Sequence, residues 1–211
     1  MTMRPKYLTF DPATEDTDGM ANNVTAAAGV ALTLAANDAG DGLAHKIVIT
    51  PSGAIAGDFT ITGLDADGQP QSEVLASDAA NAVTSAKYYS SVTSVLAATL
   101  GAETVDIGWA DEFASPTIPV EIFLKNGALI GCQLAVTGTI SVDLQDTMSD
   151  IRASYSPPPA QEDFTWLDDA NFTGKNASMS AQLSVLARAI RLVANSYSAG
   201  AEVELSIITP R

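Results

Sequence analysis

Cysteine and histidine are nearly absent: the chain of 211 residues has one of each, Cys132 and His45. One thiol cannot close an intramolecular disulfide, so stability has to come from burial, and synthesis in a reducing compartment is permitted. One imidazole excludes zinc sites built from several histidines, and Cys132 alone cannot complete a thiolate cluster. Basic residues are scarce too, with 10 Lys and Arg against 25 Asp and Glu and a formal charge of -15. Such a surface repels nucleic acid and anionic lipid and argues against both as partners. Acidity also keeps a chain soluble, and it suits a protein that stays monomeric until it meets a designated partner. The best candidate for a membrane run, TAAAGVALTLAA from Thr25 to Ala36, is too short and interrupted to span a bilayer. The N-terminal MTMRPKYLTF carries basic residues with no apolar core behind them, so it does not read as a signal peptide, and synthesis in the cytoplasm is expected.

Helical periodicity is equally scarce. Short β-branched and alternating stretches recur instead, separated by Gly, Asn, Asp and Pro, which predicts an all-β protein. Strands are expected at Val30–Ala35, Lys46–Thr50, Asp58–Thr62, Ser72–Leu75, Tyr88–Val95 and Glu103–Ile107, enough for one sandwich of about six or seven strands. In Asp58–Thr62 the residues Phe59 and Ile61 share one face, as in a sheet buried on one side. Ser115-Pro116 and Ile118-Pro119 interrupt any continuous element and open a second series. That series is Val120–Leu124, Leu129–Leu134, Thr137–Leu144, Phe164–Leu167, Ala189–Ala194 and Val203–Ile208, with Asn126-Gly127 as a hairpin signal. Ser180–Leu186 reads as irregular, leaning to strand. The predicted organisation is therefore an N-terminal extended arm over residues 1–23, a first β-sandwich unit over 24–114 and a second over 115–211, each Ig-like or jelly-roll-like. Two segments look poor in structure: the acidic Thr9–Asn23 and the proline-rich loop Ser154–Asp163. Such segments either lie on neighbours in an assembly or are simply a flexible terminus and a surface loop.

No combination of residues identifies a reaction. Asp65-Ala66-Asp67-Gly68 looks like part of a calcium loop, but an EF-hand loop needs Gly at its sixth position and Glu at its twelfth. Counted from Asp65, Gly68 arrives two places early and the twelfth place is Ala76. A tight turn formed by Asp65, Asp67 and Gly68 between two strands satisfies the sequence better, because Gly supplies the positive φ that such turns demand. His45 reads as a partly exposed residue at a strand start, with no G-x-S-x-G nucleophile elbow in the chain. Cys132 sits among apolar neighbours and reads as a small buried hydrophobe. Carboxylate pairs (Asp143 with Asp146, Glu162 with Asp163, Asp168 with Asp169) are too abundant to single out an acid/base couple. No phosphate-cradling glycine loop is present. No catalytic residue, cofactor site or metal site is assigned. The interface candidates are Trp109, Trp166, Arg188, Arg191 and the run Pro157, Pro158 and Pro159, the two tryptophans anchoring either a core edge or an interface.

The stretch HKIVITPSGAIAGDFTITGLDADGQPQSEVLAS resembles a segment common in tailed-bacteriophage virion proteins, through Ile61, Thr62, Gly63, Asp65, Ala66, Asp67, Gly68 and Glu73. KYYSSVTSV, from Lys87 to Val95, is similar to that family's next strand. Near the C-terminus the likeness continues through Trp166, Ala189, Ile190, Arg191, Leu192, Ser196, Tyr197, Gly200, Val203 and Leu205. Leu64 and the triple proline depart from the usual form. The resemblance implies a non-enzymatic virion component with no catalytic residues to carry over. Its implied partners are the major capsid, portal or neck and tail proteins, with homo-oligomers in the assembled particle. Capsid cement or decoration and the head–tail neck are the expected positions. A carbohydrate-binding host-adhesion or tail-associated module, using the tryptophans or tyrosines, is the alternative.

Overall fold

The computed structural model describes residues 4–25, 29–99, 102–120, 130–151 and 159–209. Every described element except one 3-10 turn, Gln161–Asp163, is a strand. The chain divides into two compact units, one formed by Glu15–Phe113 and the other by Met1–Thr14 together with Ala114–Arg211.

Within Glu15–Phe113, one sheet contains β2 (Asp16–Val24), β3 (Ala44–Pro51), β6 (Val83–Tyr89) and β8 (Val105–Ala114), with β8 between β2 and β3, and β6 beyond β3. The other contains β4 (Phe59–Leu64) between β5 (Pro70–Leu75) and β7 (Ser91–Ala97), both pairings antiparallel. β4 alternates as its sequence predicts: Phe59 and Ile61 are fully buried, and Thr60 and Thr62 are half-buried. The stretch predicted as one strand, Tyr88–Val95, breaks at Ser90 because β6 and β7 belong to different sheets. The Ser90 amide donates to the Leu64 carbonyl where the chain crosses between them. Val30–Ala35 is not a strand. It runs beside β7, with the Leu32 amide donating to the Val95 carbonyl and a single bridge from Ala31 to Leu96.

The second unit has a sheet in the order β1 (Arg4–Phe10), β15 (Glu202–Thr209), β10 (Gly131–Thr137), β13 (Met179–Gln182), antiparallel throughout. Its other sheet has β11 (Ile140–Thr147) between β12 (Leu167–Asp168) and β14 (Ala189–Tyr197), with the short β9 (Ile118–Pro119) on β14. Phe10, Cys132, Leu134, Val203, Leu205 and Ile207 bury one face of the first sheet; Val142, Leu144, Ile190, Leu192 and Ala194 bury one face of the second.

Several expectations are corrected by this architecture. The N-terminal segment is extended, but it is no unstructured arm: β1 pairs with β15 from Arg4↔Thr209 to Phe10↔Val203, and β2 pairs irregularly with β8. Phe10, Met20 and Ala21 supply the apolar burial that the acidic composition of this stretch conceals. Phe164–Leu167 is not one strand, because the 3-10 turn precedes it and only Leu167–Asp168 pairs. Ser180–Leu186 contributes a strand only as far as Gln182. The predicted strand Val120–Leu124 beyond Val120, the Asn126-Gly127 hairpin, and residues 154–158 of the proline loop lie outside the described residues.

Gly63 shows how closely two strands approach. The β4–β7 register shifts between Thr62 and Gly63, and a Cβ on Gly63 would lie 2.1 Å from the Ser91 carbonyl oxygen and 2.9 Å from the Tyr89 ring. Backbone cannot yield as a flexible side chain does. Gly63→Ala should therefore lower stability by about 1–3 kcal/mol, the usual cost of overpacking, read as a reduced midpoint in urea denaturation. An unchanged midpoint would mean that β7 is free to shift.

Candidate functional site

Three groups of polar side chains stand out, and each is built from the strands that carry it. The first is the turn between β4 and β5. The Gly68 amide donates to the Asp65 carbonyl at 3.0 Å, and the Asp65 amide donates to the Gln69 carbonyl at 2.8 Å. Gly68 has φ +75°, a left-handed conformation that few other residues adopt without cost. Asp65 is 2% exposed, and its Oδ1 accepts from the Asp67 amide at 2.9 Å and the Gln69 amide at 2.8 Å. The Ser90 hydroxyl donates to the Asp65 carbonyl. The carboxylate thus serves the backbone of its own turn. Among the described residues no group of three or more His, Cys, Asp or Glu side chains is placed to hold a metal ion.

The second group lies on one face of the β12–β11–β14 sheet. Register places Asp168, Gln145 and Arg191 side by side across three strands. The Gln145 amide donates to Asp168 Oδ1 at 2.8 Å, and Arg191 Nε donates to Gln145 Oε1 at 2.8 Å. A second Arg191 nitrogen donates to Gln161 Oε1 at 3.0 Å, and the buried Gln161 donates in turn to the Ser115 carbonyl and the Thr117 hydroxyl. The Trp166 ring covers the guanidinium with its centroid 4.5 Å from Arg191 Cζ, a cation–π geometry. Its indole N–H donates to the Gln161 carbonyl at 3.0 Å, and Phe164 meets it edge-on at 6.0 Å. Trp166 stays half-buried, while neighbouring Leu167 is 63% exposed.

The third group is interior. Asp169 is fully buried; Oδ1 accepts from the Asn171 amide at 2.9 Å, and Oδ2 accepts from the Ser184 amide at 2.6 Å and the Ser184 hydroxyl at 2.8 Å. Asp146 lies on the core side of β11 with Val142 and Leu144. Burial, and then the charge of Asp169, raise its pKa above the ordinary 3.8. The same two causes push the Cys132 thiol up to about 12, so it stays protonated and unreactive at neutral pH.

The remaining sequence candidates fall as follows. Trp109 is 8% exposed and packs over Gly19, inside the Glu15–Phe113 unit. Arg188 lies just before β14, half-exposed, and pairs with Asp150 at 2.9 Å. Pro159 is half-buried; Pro157 and Pro158 lie outside the described residues. His45 is buried rather than partly exposed, because Asp41 approaches its Nε2 at 2.7 Å and Phe113 packs beside its ring. Gln145 and Gln161, central to the second group, carry no sequence signal: glutamine has no characteristic spacing, and only strand register brings Gln145 opposite Arg191.

No family model matches the chain, and no curated protein matches it. Among solved structures, the major capsid protein P2 from bacteriophage PM2 aligns over 98% of this chain and 97% of its own, at 10% identity and a TM-score of 0.21, a similarity too slight to define a common fold.

Asp65→Ala removes two hydrogen bonds to a buried carboxylate and should cost about 2–3 kcal/mol. Asp65→Asn, which keeps an acceptor oxygen, should cost less, and neither calcium nor EDTA should move the melting midpoint of the parent. A calcium-dependent midpoint would assign Asp65 to an ion instead. For Asp146 the raised folded-state pKa means that ionisation opposes folding at neutral pH. That penalty is relieved as pH falls from the folded value toward 3.8. Asp146→Asn should therefore raise the midpoint at pH 7, with an advantage that shrinks on acidification through that window. An advantage independent of pH would trace the effect to packing alone.

Proposed function

We propose that this chain is a non-enzymatic structural component of a tailed-phage virion, binding neighbouring subunits as capsid cement or decoration or at the head–tail neck. The observation that carries this reading is where the family resemblance falls. Ile61–Glu73 runs from within β4 through the aspartate turn into β5; Lys87–Val95 covers the crossing from β6 to β7; Ala189–Leu205 covers β14 and the first half of β15. The likeness follows strands and the turns that fix their register, as expected where the architecture itself is the product. The acidic side chains that could suggest chemistry are engaged in holding backbone, as at Asp65 and Asp169.

Trp166, Arg191 and Leu167 form the contact patch in this reading. A half-buried tryptophan stacked on an arginine matches the composition of binding hot spots, and Leu167 beside it adds exposed apolar surface. Trp109 plays no part, because it is interior. Copies of the chain on a symmetric shell would add many modest contacts through multivalency.

Mass spectrometry and electron cryomicroscopy of density-purified virions test the proposal. The chain should be present at a fixed ratio to the major capsid protein, and Trp166→Ala should fold normally yet be incorporated several-fold less. Purified particles that lack the chain would overturn the reading; normal incorporation of Trp166→Ala would overturn the assigned patch.

A further inference from the structure

We propose that the solvent face of the β1–β15–β10–β13 sheet carries a binding groove for the ring of a neutral saccharide. This function is separate from subunit contact. Strand alternation builds the groove. Cys132 and Leu134 point into the core, which turns Gly131 and Gln133 outward; Leu205 and Ile207 do the same for Ser206 and Ile208. On β13, Ser180 and Gln182 face outward and are exposed. Register then aligns two rows, Ile208–Gly131–Gln182 and Ser206–Gln133–Ser180. Tyr7 of β1 continues the second row opposite Ser206 and is 72% exposed.

Gly131 leaves the floor open between these side chains. The resulting depression has a volume of about 300 Å³, at the small end of the range for ligand sites, roughly 300–1,000 Å³. Among the described residues its lining holds no carboxylate, ammonium or guanidinium, although 35 of the 211 residues are charged, the sum of the 10 basic and 25 acidic. Lys, Arg, Asp and Glu are what a charged ligand would need. What the groove exposes is mostly apolar, from Ile208, the Gly131 floor and side-chain stems, with the carboxamides of Gln133 and Gln182 and the hydroxyls of Ser180 and Ser206 as the few polar groups in its lining. Beside it stands an exposed aromatic ring. A sugar ring presents the complement, with hydroxyls around its edge and an apolar C–H face that stacks on an aromatic ring.

The test uses the full-length protein on an array of neutral and sialylated glycans, followed by calorimetric titration of the strongest neutral binder. Two variants probe the groove. Among the described residues, a Cβ on Gly131 would meet nothing nearer than the Ile208 carbonyl oxygen at 4.0 Å, so Gly131→Val should fold while filling the floor. Tyr7→Ala removes an exposed ring at little cost to folding. The expected result is millimolar or tighter binding of a neutral glycan, weakened at least tenfold by each variant with the melting midpoint unchanged. The proposal is overturned if the parent binds no neutral glycan at millimolar concentration, if only sialylated glycans bind, or if Tyr7→Ala and Gly131→Val both bind as the parent does. Because it is read on purified protein, failure here leaves the virion assignment intact, and absence from virions leaves this result standing.

Discussion

Aspartate oxygens accepting backbone N–H groups hold the connections of this protein in place. In four turns the carboxylate of residue i accepts from the amide of residue i+2, at Asp38, Asp41, Asp65 and Asp169, and Asp16 does the same at the start of β2. An all-β chain reverses direction often, and each reversal leaves backbone donors with no ladder partner. Aspartate supplies the missing acceptor from within the turn. Asp169 carries this furthest. Its carboxylate serves Asn171 and Ser184, its carbonyl accepts from the Phe172 amide and the Thr173 hydroxyl, and its own amide donates to Leu144. One fully buried residue thus ties the loop after β12 both to β11 and to the segment after β13.

The same device gives the carboxylates of this chain a structural reading. A calcium loop and an aspartate turn both place acidic residues near glycine; ligand spacing separates them in the sequence, and the direction of the lone pairs separates them in the structure. At Asp65 they point at amides two and four residues ahead. Burying charge this way also has an electrostatic consequence. Asp169 is held by its donors, and its field adds to the larger effect of burial in disfavouring the carboxylate of Asp146 and the thiolate of Cys132. A buried anion rewards whichever neighbour stays neutral.

Strand content was legible where alternation was strong, as in β4 and β15. The turn at Gly68 was legible too, because positive φ has few residue solutions. What escaped was anything set by pairing. Nothing local in KYYSSVTSV marks Ser90 as the point where the chain leaves one sheet for another; that depends on Leu64 offering a carbonyl from the end of β4. Arg191 was singled out as a basic residue, but its environment of Gln145, Gln161 and Trp166 comes from a register that one chain's composition does not encode. The N-terminal segment misled for a related reason. Thr9–Asn23 is polar on average, and its few apolar residues count only once β1 has a strand to lie against.

That last point bears on how the molecule assembles. The Glu15–Phe113 unit is continuous in sequence, so its interior can form as soon as that stretch exists. The other unit is split: Met1–Thr14 belongs with Ala114–Arg211, and β1 pairs with β15 at the far end of the chain. The entropy of closing a flexible loop rises only with the logarithm of its length, so the long separation adds little to the equilibrium cost. A compact intervening unit lowers it further, since an ordered insert has fewer conformations to lose. Kinetically the separation matters more, because the β1–β15 ladder has to await most of the chain. Until then β1 has no partner strand, and its Pro5 and Lys6 are residue types that discourage indiscriminate edge pairing.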